Sequence, residues 1–226
     1  MSKCLCIIPA RSGSKRIKNK NIIKLNGKPL IYYTIQFAKK LNFVDEIIFS
    51  SDSRRYLNLA KKYKINNLSL RPKKISSDNS RTIDVVKYEI NKIKKYDYIL
   101  LLQPTTPFRD IKDFKKAYRI LINNKCDSVI TVNLVNNFHP YRMKIFKGNI
   151  LKNFMNLKKE NFKAVKHLPK VFVRSGSMYF FKRENISKYN SILGKKTYGI
   201  EVKGKNTINI DEKEDLILAK HFFKRN

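Results

Sequence analysis

The chain has 226 residues, enough for one domain with a sizeable buried core. It carries 50 Lys and Arg against 17 Asp and Glu, a net charge of +33. The lysines are spread along the chain among Asn and Ile, and no nucleic-acid motif accompanies them. This argues against nucleic acid as partner and for a polyanionic substrate on a lysine-rich background.

No stretch approaches the roughly 18 apolar residues of a membrane span. The start, Met-Ser-Lys-Cys-Leu-Cys, lacks the basic segment, apolar run and cleavage site of a secretory signal. Three cysteines form an odd set without metal-ligand spacing. Cys4 and Cys6 alternate on one strand face, where cysteine acts as a small apolar filler. The expectation is a reducing cytoplasm and no membrane.

Residues 3–9 read as a short buried strand stopped by Pro9. The loop from Ala10 to Ile22 follows, with Arg11, Ser14, Lys15, Arg16, Lys20 and Asn21 able to hold an anion or a ribose. Gly13 allows close backbone approach to a ligand. Strand, basic glycine-containing loop, then helix is the arrangement that seats nucleotide phosphates in α/β proteins. A solvated basic turn is the competing reading.

Residues 29–41 carry a helical stripe at Leu30, Ile31, Ile35 and Ala38, with Pro29 in the first turn. Residues 46–49 are a second strand, ending at Ser50-Ser51-Asp52. Residues 54–63 form a helix packing Tyr56, Leu57, Leu59, Ala60 and Tyr63. A short strand over 67–70 leads to Arg71, held extended by Pro72. Residues 82–93 are helical with Ile83, Val86, Ile90 and Ile93 inward. Residues 98–102 are the most hydrophobic strand, 111–122 a helix and 128–135 a strand. This alternation predicts an α/β fold with a doubly wound, mostly parallel, Rossmann-like sheet.

The alternation fails over about 136–170. Residues 142–150 read as a hairpin turning at Lys147-Gly148-Asn149, and the rest of that stretch as irregular. Residues 171–181 are strand again, broken by Gly176, and 198–202 another strand. Residues 211–223 close the chain as a helix. The whole of 1–226 reads as one domain with an irregular excursion. Ligands bind where strands end in polar loops. The loops over 10–21, 103–109 and 209–211 should therefore converge. Asp211 and Glu214 also have the spacing of a capping box that needs no ligand.

Several blocks carry a family resemblance. They are Ile-Pro-Ala-Arg-Ser-Gly-Ser-Lys (8–15), Asn-Lys-Asn-Ile (19–22), Leu-Asn-Gly-Lys-Pro-Leu-Ile (25–31), Leu70-Arg71-Pro72 and Ser77-Asp78. Further along come Leu101 to Arg109, Leu168-Pro169 and Ile210 to Leu216. In this order the chain resembles the cytidylyltransferases that activate sialic acids and related acidic sugars, the CMP-sialic acid synthetases. The resemblance implies a nucleotidyltransferase-type fold, CTP and an acidic nine-carbon sugar as substrates, Mg²⁺ as cofactor, and a homodimer built on the excursion. It assigns Ala10, Arg11, Ser12, Gly13, Ser14, Lys15, Asn21 and Arg71 to the nucleotide, with Lys15, Arg11 and Lys20 as the catalytic cations. It assigns Thr82, Gln103, Lys166 and Arg174 to the sugar, and Asp211 to the metal. No general base stands out.

Three departures from the family pattern matter. Asn209 stands where a second carboxylate is usual, so the metal site is weakened. Arg174 lies one place later than the usual arginine, which on a strand reverses its face unless Gly176 marks a bulge. Lys166 only approximates an arginine usual before Leu168. The alternatives are activation of octulosonate or another sugar, a nucleotide-binding domain without turnover, and a polyanion-binding protein.

Overall fold

The computed structural model describes residues 2–123, 126–136, 138–156 and 164–224. In chain order the strands and helices are β1 (Cys4–Pro9), β2 (Lys24–Leu25), β3 (Lys28–Pro29), α1 (Leu30–Lys39), β4 (Glu46–Ser51), α2 (Arg54–Lys62), β5 (Asn67–Leu70) and α3 (Thr82–Lys92). There follow β6 (Tyr98–Leu101), α4 (Ile111–Ile122), β7 (Ser128–Leu134), β8 (Lys144–Lys147), β9 (Ile150–Asn153), β10 (Phe172–Lys182), α5 (Glu184–Tyr189), β11 (Thr197–Glu201) and α6 (Lys213–Lys224).

Seven strands make one sheet in the order β11-β7-β10-β6-β1-β4-β5. Every neighbouring pair is parallel except those of β10, which runs antiparallel to both β6 and β7. Alternation along β1 feeds both faces. Cys4, Cys6 and Ile8 pack in one core with Ile31, Tyr56 and Phe114 from α1, α2 and α4. Leu5 and Ile7 pack in the other with Val86 and Ile90 of α3 and Ile186 of α5. The doubly wound, mostly parallel sheet read from the sequence is the fold observed. All three cysteines are buried and unpaired, and burial pushes the thiols of Cys4 and Cys6 well above the ordinary range.

Local differences have local causes. β2 and β3 form a small hairpin across Asn26 and Gly27, both at positive φ (45° and 75°), the geometry that an Asn-Gly pair favours. The turn of the β8–β9 hairpin occupies only Gly148-Asn149, so its second arm runs on to Asn153 instead of stopping at Ile150. On α3 the buried side is Val85, Val86, Glu89 and Ile90, while Ile83 and Ile93 are half-buried. Of the excursion over 136–170, residues 137 and 157–163 lie outside the described residues. His139 is structural: its ring joins the Pro169 carbonyl at 3.0 Å and accepts from the Tyr141 N–H at 3.2 Å.

β10 bends sharply at its middle. Arg174 pairs with Val132 and Tyr179 with Ile130, five steps on one strand against two on the other. Gly176 sits in that bulge at φ 78°, a backbone region open to glycine at little cost. Arg174 thus shares the sheet face of Val132 and Tyr179, and its side chain is exposed. No described helix is long and apolar enough to cross a membrane.

Candidate active site

The carboxyl ends of β1, β5 and β6 open on one cavity of about 610 Å³, lined on one side by Asn209 and Asp211. Arg11, Ser14, Lys15, Lys20, Asn21, Arg71, Thr82, Gln103 and Asp211 all line it. Nine of the residues singled out in the sequence, from five separate segments, are therefore brought together.

Neighbouring strands hold the basic loop in place. The Ala10 N–H donates to the Ser50 carbonyl at 2.8 Å. Ser12 donates through its backbone N–H (2.8 Å) and its Oγ (2.9 Å) to the Asp52 carboxylate at the end of β4. Asn21, buried, donates from Nδ2 to the Arg11 carbonyl at 2.8 Å and closes the loop on itself. Ala10 and Ser12 thus anchor the loop and do not line the cavity. No heavy atom stands within 4 Å of where a Cβ on Gly13 would be, so a ligand can approach the backbone there.

A carboxylate from the same chain sits among the loop cations. Asp78 bridges Arg11 Nη1 (2.8 Å) and Lys15 Nζ (2.7 Å) from the loop after β5. The Lys15 hydrogen bond, then that of Arg11, holds its carboxyl below the usual carboxylate range. An oxyanion of this chain already stands where the phosphate loop would receive one from a ligand. Asp78 belongs to the Ser77-Asp78 pair of the family resemblance, but no sequence pattern linked it to residues 11 and 15.

Asp211 faces the cavity. Its carboxylate accepts from Lys20 Nζ and from Asn209 Nδ2, both at 2.6 Å. The capping box suggested by Asp211 and Glu214 does not form. Asp215 Oδ2 accepts instead from the N–H groups of Asp211 (2.9 Å) and Glu212 (2.8 Å), which fixes the turn entering α6 without the Asp211 side chain. Asn209 Oδ1 is buried without a hydrogen-bond partner. A single carboxylate facing the cavity suits a hard cation that takes its other ligands from phosphates and water. Among the described residues no cluster of three His, Cys, Asp or Glu could hold a metal by itself.

Arg71 forms another wall. It is 5% exposed, its N–H donates to the Ser51 carbonyl at 2.9 Å, and its Nε donates to Ser76 Oγ at 2.8 Å. Its Nη1 is buried and unpartnered. Burial pulls its pKa down, while the Asp52 and Glu89 carboxylates push it back up.

The loop over 103–109 is pinned by Arg109, which the sequence reading gave no role. Its guanidinium reaches the Gln103 carbonyl (2.6 Å), Thr106 Oγ1 (2.9 Å), Thr34 Oγ1 (3.0 Å) and the Ser177 carbonyl (3.2 Å). All four partners are neutral, and burial lowers its pKa to about 9. Gln103 Oε1 lies 2.7 Å from where a Cβ on Gly176 would be. The bulge of β10 therefore makes room for the Gln103 side chain.

Lys166 and Arg174 are exposed and line no part of this cavity. Lys166 lies in a short helical turn at the end of the excursion, and Arg174 on the part of β10 beyond the bulge. The sequence grouped them with Gln103 and Thr82; the fold of one chain does not.

The two carboxylates near α6 are separable by experiment. Asp215→Ala should speed hydrogen exchange at the amides of Asp211 and Glu212 and cost about 1 kcal/mol, the usual loss for a cap. Asp211→Asn should leave those amides protected. Asp78→Asn should tighten binding of inorganic tripolyphosphate several-fold, read by calorimetry, because it removes a competing anion from the same two cations. Weaker binding would show that Asp78 serves the bound state instead.

The cytidylyltransferase family model matches residues 5–222. The chain is 31% identical to pseudaminic acid cytidylyltransferase of Campylobacter jejuni subsp. jejuni serotype O:2, covering 99% of this chain and 97% of that protein. It is 37% identical to N-acylneuraminate cytidylyltransferase of Escherichia coli O18:K1:H7 over 58% of this chain, a region that spans 32% of that protein. Among solved structures, a CMP:2-keto-3-deoxy-manno-octonic acid synthetase complexed with CTP superposes with a TM-score of 0.73 over 99% of both chains, at 15% identity. That likeness shows the fold alone. With a family match across nearly the whole chain and a relative of like length above 30% identity, the chain belongs to the cytidylyltransferase family, in the group of CMP-sialic acid synthetase-like enzymes.

Proposed function

We propose that this enzyme transfers CMP from CTP to an acidic nine-carbon sugar of the pseudaminic or sialic acid kind, releasing pyrophosphate. The observation that carries the reading is the paired Arg11 and Lys15 around an oxyanion, in a cavity that Arg71 also lines. The pair suits a phosphate, and the Arg71 guanidinium suits a base carbonyl. Phosphate contacts alone do not distinguish bases. The relatives that the chain matches end to end include pseudaminic acid cytidylyltransferases, which favours that class of acceptor.

On this reading the triphosphate displaces Asp78 and takes its two cations. The anomeric hydroxyl of the sugar gives its proton to solvent as its oxygen attacks the α-phosphorus in line. The bond to the bridging oxygen breaks, and pyrophosphate leaves with its charge met by Lys15, Arg11 and Lys20. Catalysis is positioning plus charge neutralisation. Gln103 and Thr82, on the opposite wall, receive the sugar. Asp211 would hold Mg²⁺, which would supply further neutralisation of the phosphates. Reaction in the cytoplasm fits three unpaired buried thiols.

We also propose a homodimer. The β8–β9 hairpin exposes Phe146 (74%), Ile150, Leu151 and Phe154, and Phe172 and Val173 lie exposed on β10. A two-stranded hairpin is marginal alone, and clustered exposed apolar side chains mark an interface. A second copy supplies a matching apolar face by symmetry. Arg174 and Lys166, exposed near these segments in sequence, would then serve the partner's cavity.

Pyrophosphate release should require CTP rather than ATP or GTP, and should occur with pseudaminic, sialic or legionaminic acid. Turnover of a neutral hexose with none on any sugar acid would sink the assignment. Lys15→Ala should lower kcat at least about 100-fold with an unchanged melting temperature. In light scattering the wild type should have twice the chain mass and Phe146→Asp the mass of one chain. A monomeric wild type would refute the dimer.

A further inference from the structure

Arg109 differs from the arginines of the basic loop. Arg11 and Arg16 pair with carboxylates. Arg109 directs its hydrogen bonds to four neutral oxygens on three separate segments: Thr34 of α1, Gln103 and Thr106 of the loop after β6, and Ser177 of β10. A guanidinium drawn out of water with no carboxylate beside it is costly. Tying three segments at one point calls for the planar fork of N–H groups that arginine carries; a lysine ammonium is a single centre with fewer donors.

Two of these oxygens flank the seat of one side chain. Nη2 donates to the Gln103 carbonyl at 2.6 Å, and Nε to the Ser177 carbonyl, next to Gly176, at 3.2 Å. Gln103 Oε1 fills the gap at Gly176, 2.7 Å from where a Cβ would stand. The β10 side of this seat is fixed without Arg109. Ser175 Oγ donates to Thr131 Oγ1 at 2.6 Å, and the Met178 N–H to the same oxygen at 3.0 Å. The Gln103 side is not. Past the last β6–β10 pair, Leu101 with Tyr179, the joint between the two segments is Arg109. Thr106, whose Oγ1 also donates to the Gln103 carbonyl, is itself held by Arg109. Among the described residues the Gln103 side-chain amide makes no hydrogen bond of its own.

We infer that Arg109 is a positioning residue for the acceptor sugar: it sets the Gln103 backbone against the β10 bulge and so aims the Gln103 amide into the cavity. A fixed amide offers one donor face and one acceptor face, which match a hydroxyl beside a carboxylate. The inference rests on the cytidylyltransferase reading and deepens it, since it says what holds the acceptor wall in register. The phosphate cations lie on another segment, and Asp211 is tied to Lys20 and Asn209, so the nucleotide half does not depend on this clamp.

The test is steady-state kinetics with a sugar acid, alongside calorimetry of CTP with Mg²⁺. Arg109→Lys keeps the charge but cannot span the four oxygens. It should lower kcat/KM for the sugar acid on the order of ten-fold and leave CTP binding within about two-fold. In a Gln103→Ala background the same change should alter kcat/KM for the sugar by no more than about two-fold, because the positioning residue has nothing left to position. A merely structural arginine would give the same loss in both backgrounds, and that additivity overturns the inference. So do unchanged sugar kinetics in folded Arg109→Lys. CTP binding weakened as much as sugar turnover also overturns it, for the loop would then have disturbed Asp211 through the bond from the Ile210 N–H to the Thr105 carbonyl. Should Arg109→Lys not fold, the isosteric Thr106→Val removes one partner of the clamp and lines no part of the cavity. It should show a smaller loss of the same sugar-specific kind, and normal sugar kinetics in that variant refute the role. A wild type that turns over CTP with no sugar acid sinks the functional reading itself, and this inference with it.

Discussion

Crowding cations into one loop raises their mutual repulsion, and the arrangement of this site is the answer to that cost. Arg11, Lys15, Arg16 and Lys20 lie within ten residues of one another, and Arg71 faces the same cavity. Each has a carboxylate nearby: Asp78 for the first two, Glu212 for Arg16, Asp211 for Lys20, Glu89 and Asp52 around Arg71. The chain has only 17 acidic residues for 50 basic ones. Three of its carboxylates, Asp78, Glu212 and Asp211, form ion pairs with cations of this cavity, so the excess positive charge lies mostly elsewhere on the surface. The large net charge is therefore a poor guide to the site, and a local one is needed.

These counter-ions are not equivalent. Asp78 is exposed and two salt bridges hold it, a contact that solvent weakens and an incoming phosphate can replace. Asp211 is tied to Lys20, whose side chain is 13% exposed, and to Asn209. It is built to stay. Glu89 is out of reach of any ligand. The site thus grades from replaceable to permanent as one moves from the mouth to the floor. The wall formed by residues 103–109 follows another logic. Arg109 fixes the loop over 103–109 through four neutral oxygens, and Gly176 leaves the gap that the Gln103 side chain fills. Geometry, more than charge, governs that wall.

Much of this was legible in the sequence, for stated reasons. Period-two and period-3.6 patterns placed the strands and helices of the sheet, and the residue order of the basic loop pointed to phosphate. What escaped was what the local pattern cannot carry. Nothing near Asp78 says that it reaches Arg11 and Lys15 across more than sixty residues. Glu89 falls on the buried side of α3, where the apolar rhythm of Ile83, Val86 and Ile90 says nothing of a carboxylate. Asp211 and Glu214 had capping-box spacing, yet it is Asp215, four residues on from Asp211, that binds the two amides just before the helix. Arg174 kept its place in the sequence, but the β10 bulge and the exposed end of that strand decided where it lies. The Asn26-Gly27 turn, by contrast, was a readable signal.

The antiparallel strand β10 has a further consequence, for the order in which the protein can assemble. During synthesis β1, β4, β5 and β6 emerge early and can pair among themselves. β7 follows, yet it has no bond to any of them, because β10 lies between β6 and β7 in the sheet. Until residues 172–182 are made, the free edge of β6 and both edges of β7 have no partner in this sheet, a state prone to sticking. β10 is also the strand whose bulge accommodates Gln103. The sheet and the wall around Gln103 are therefore completed by the same late event, and a nascent chain truncated before Phe172 would carry the whole basic loop but not the bulge that accommodates Gln103.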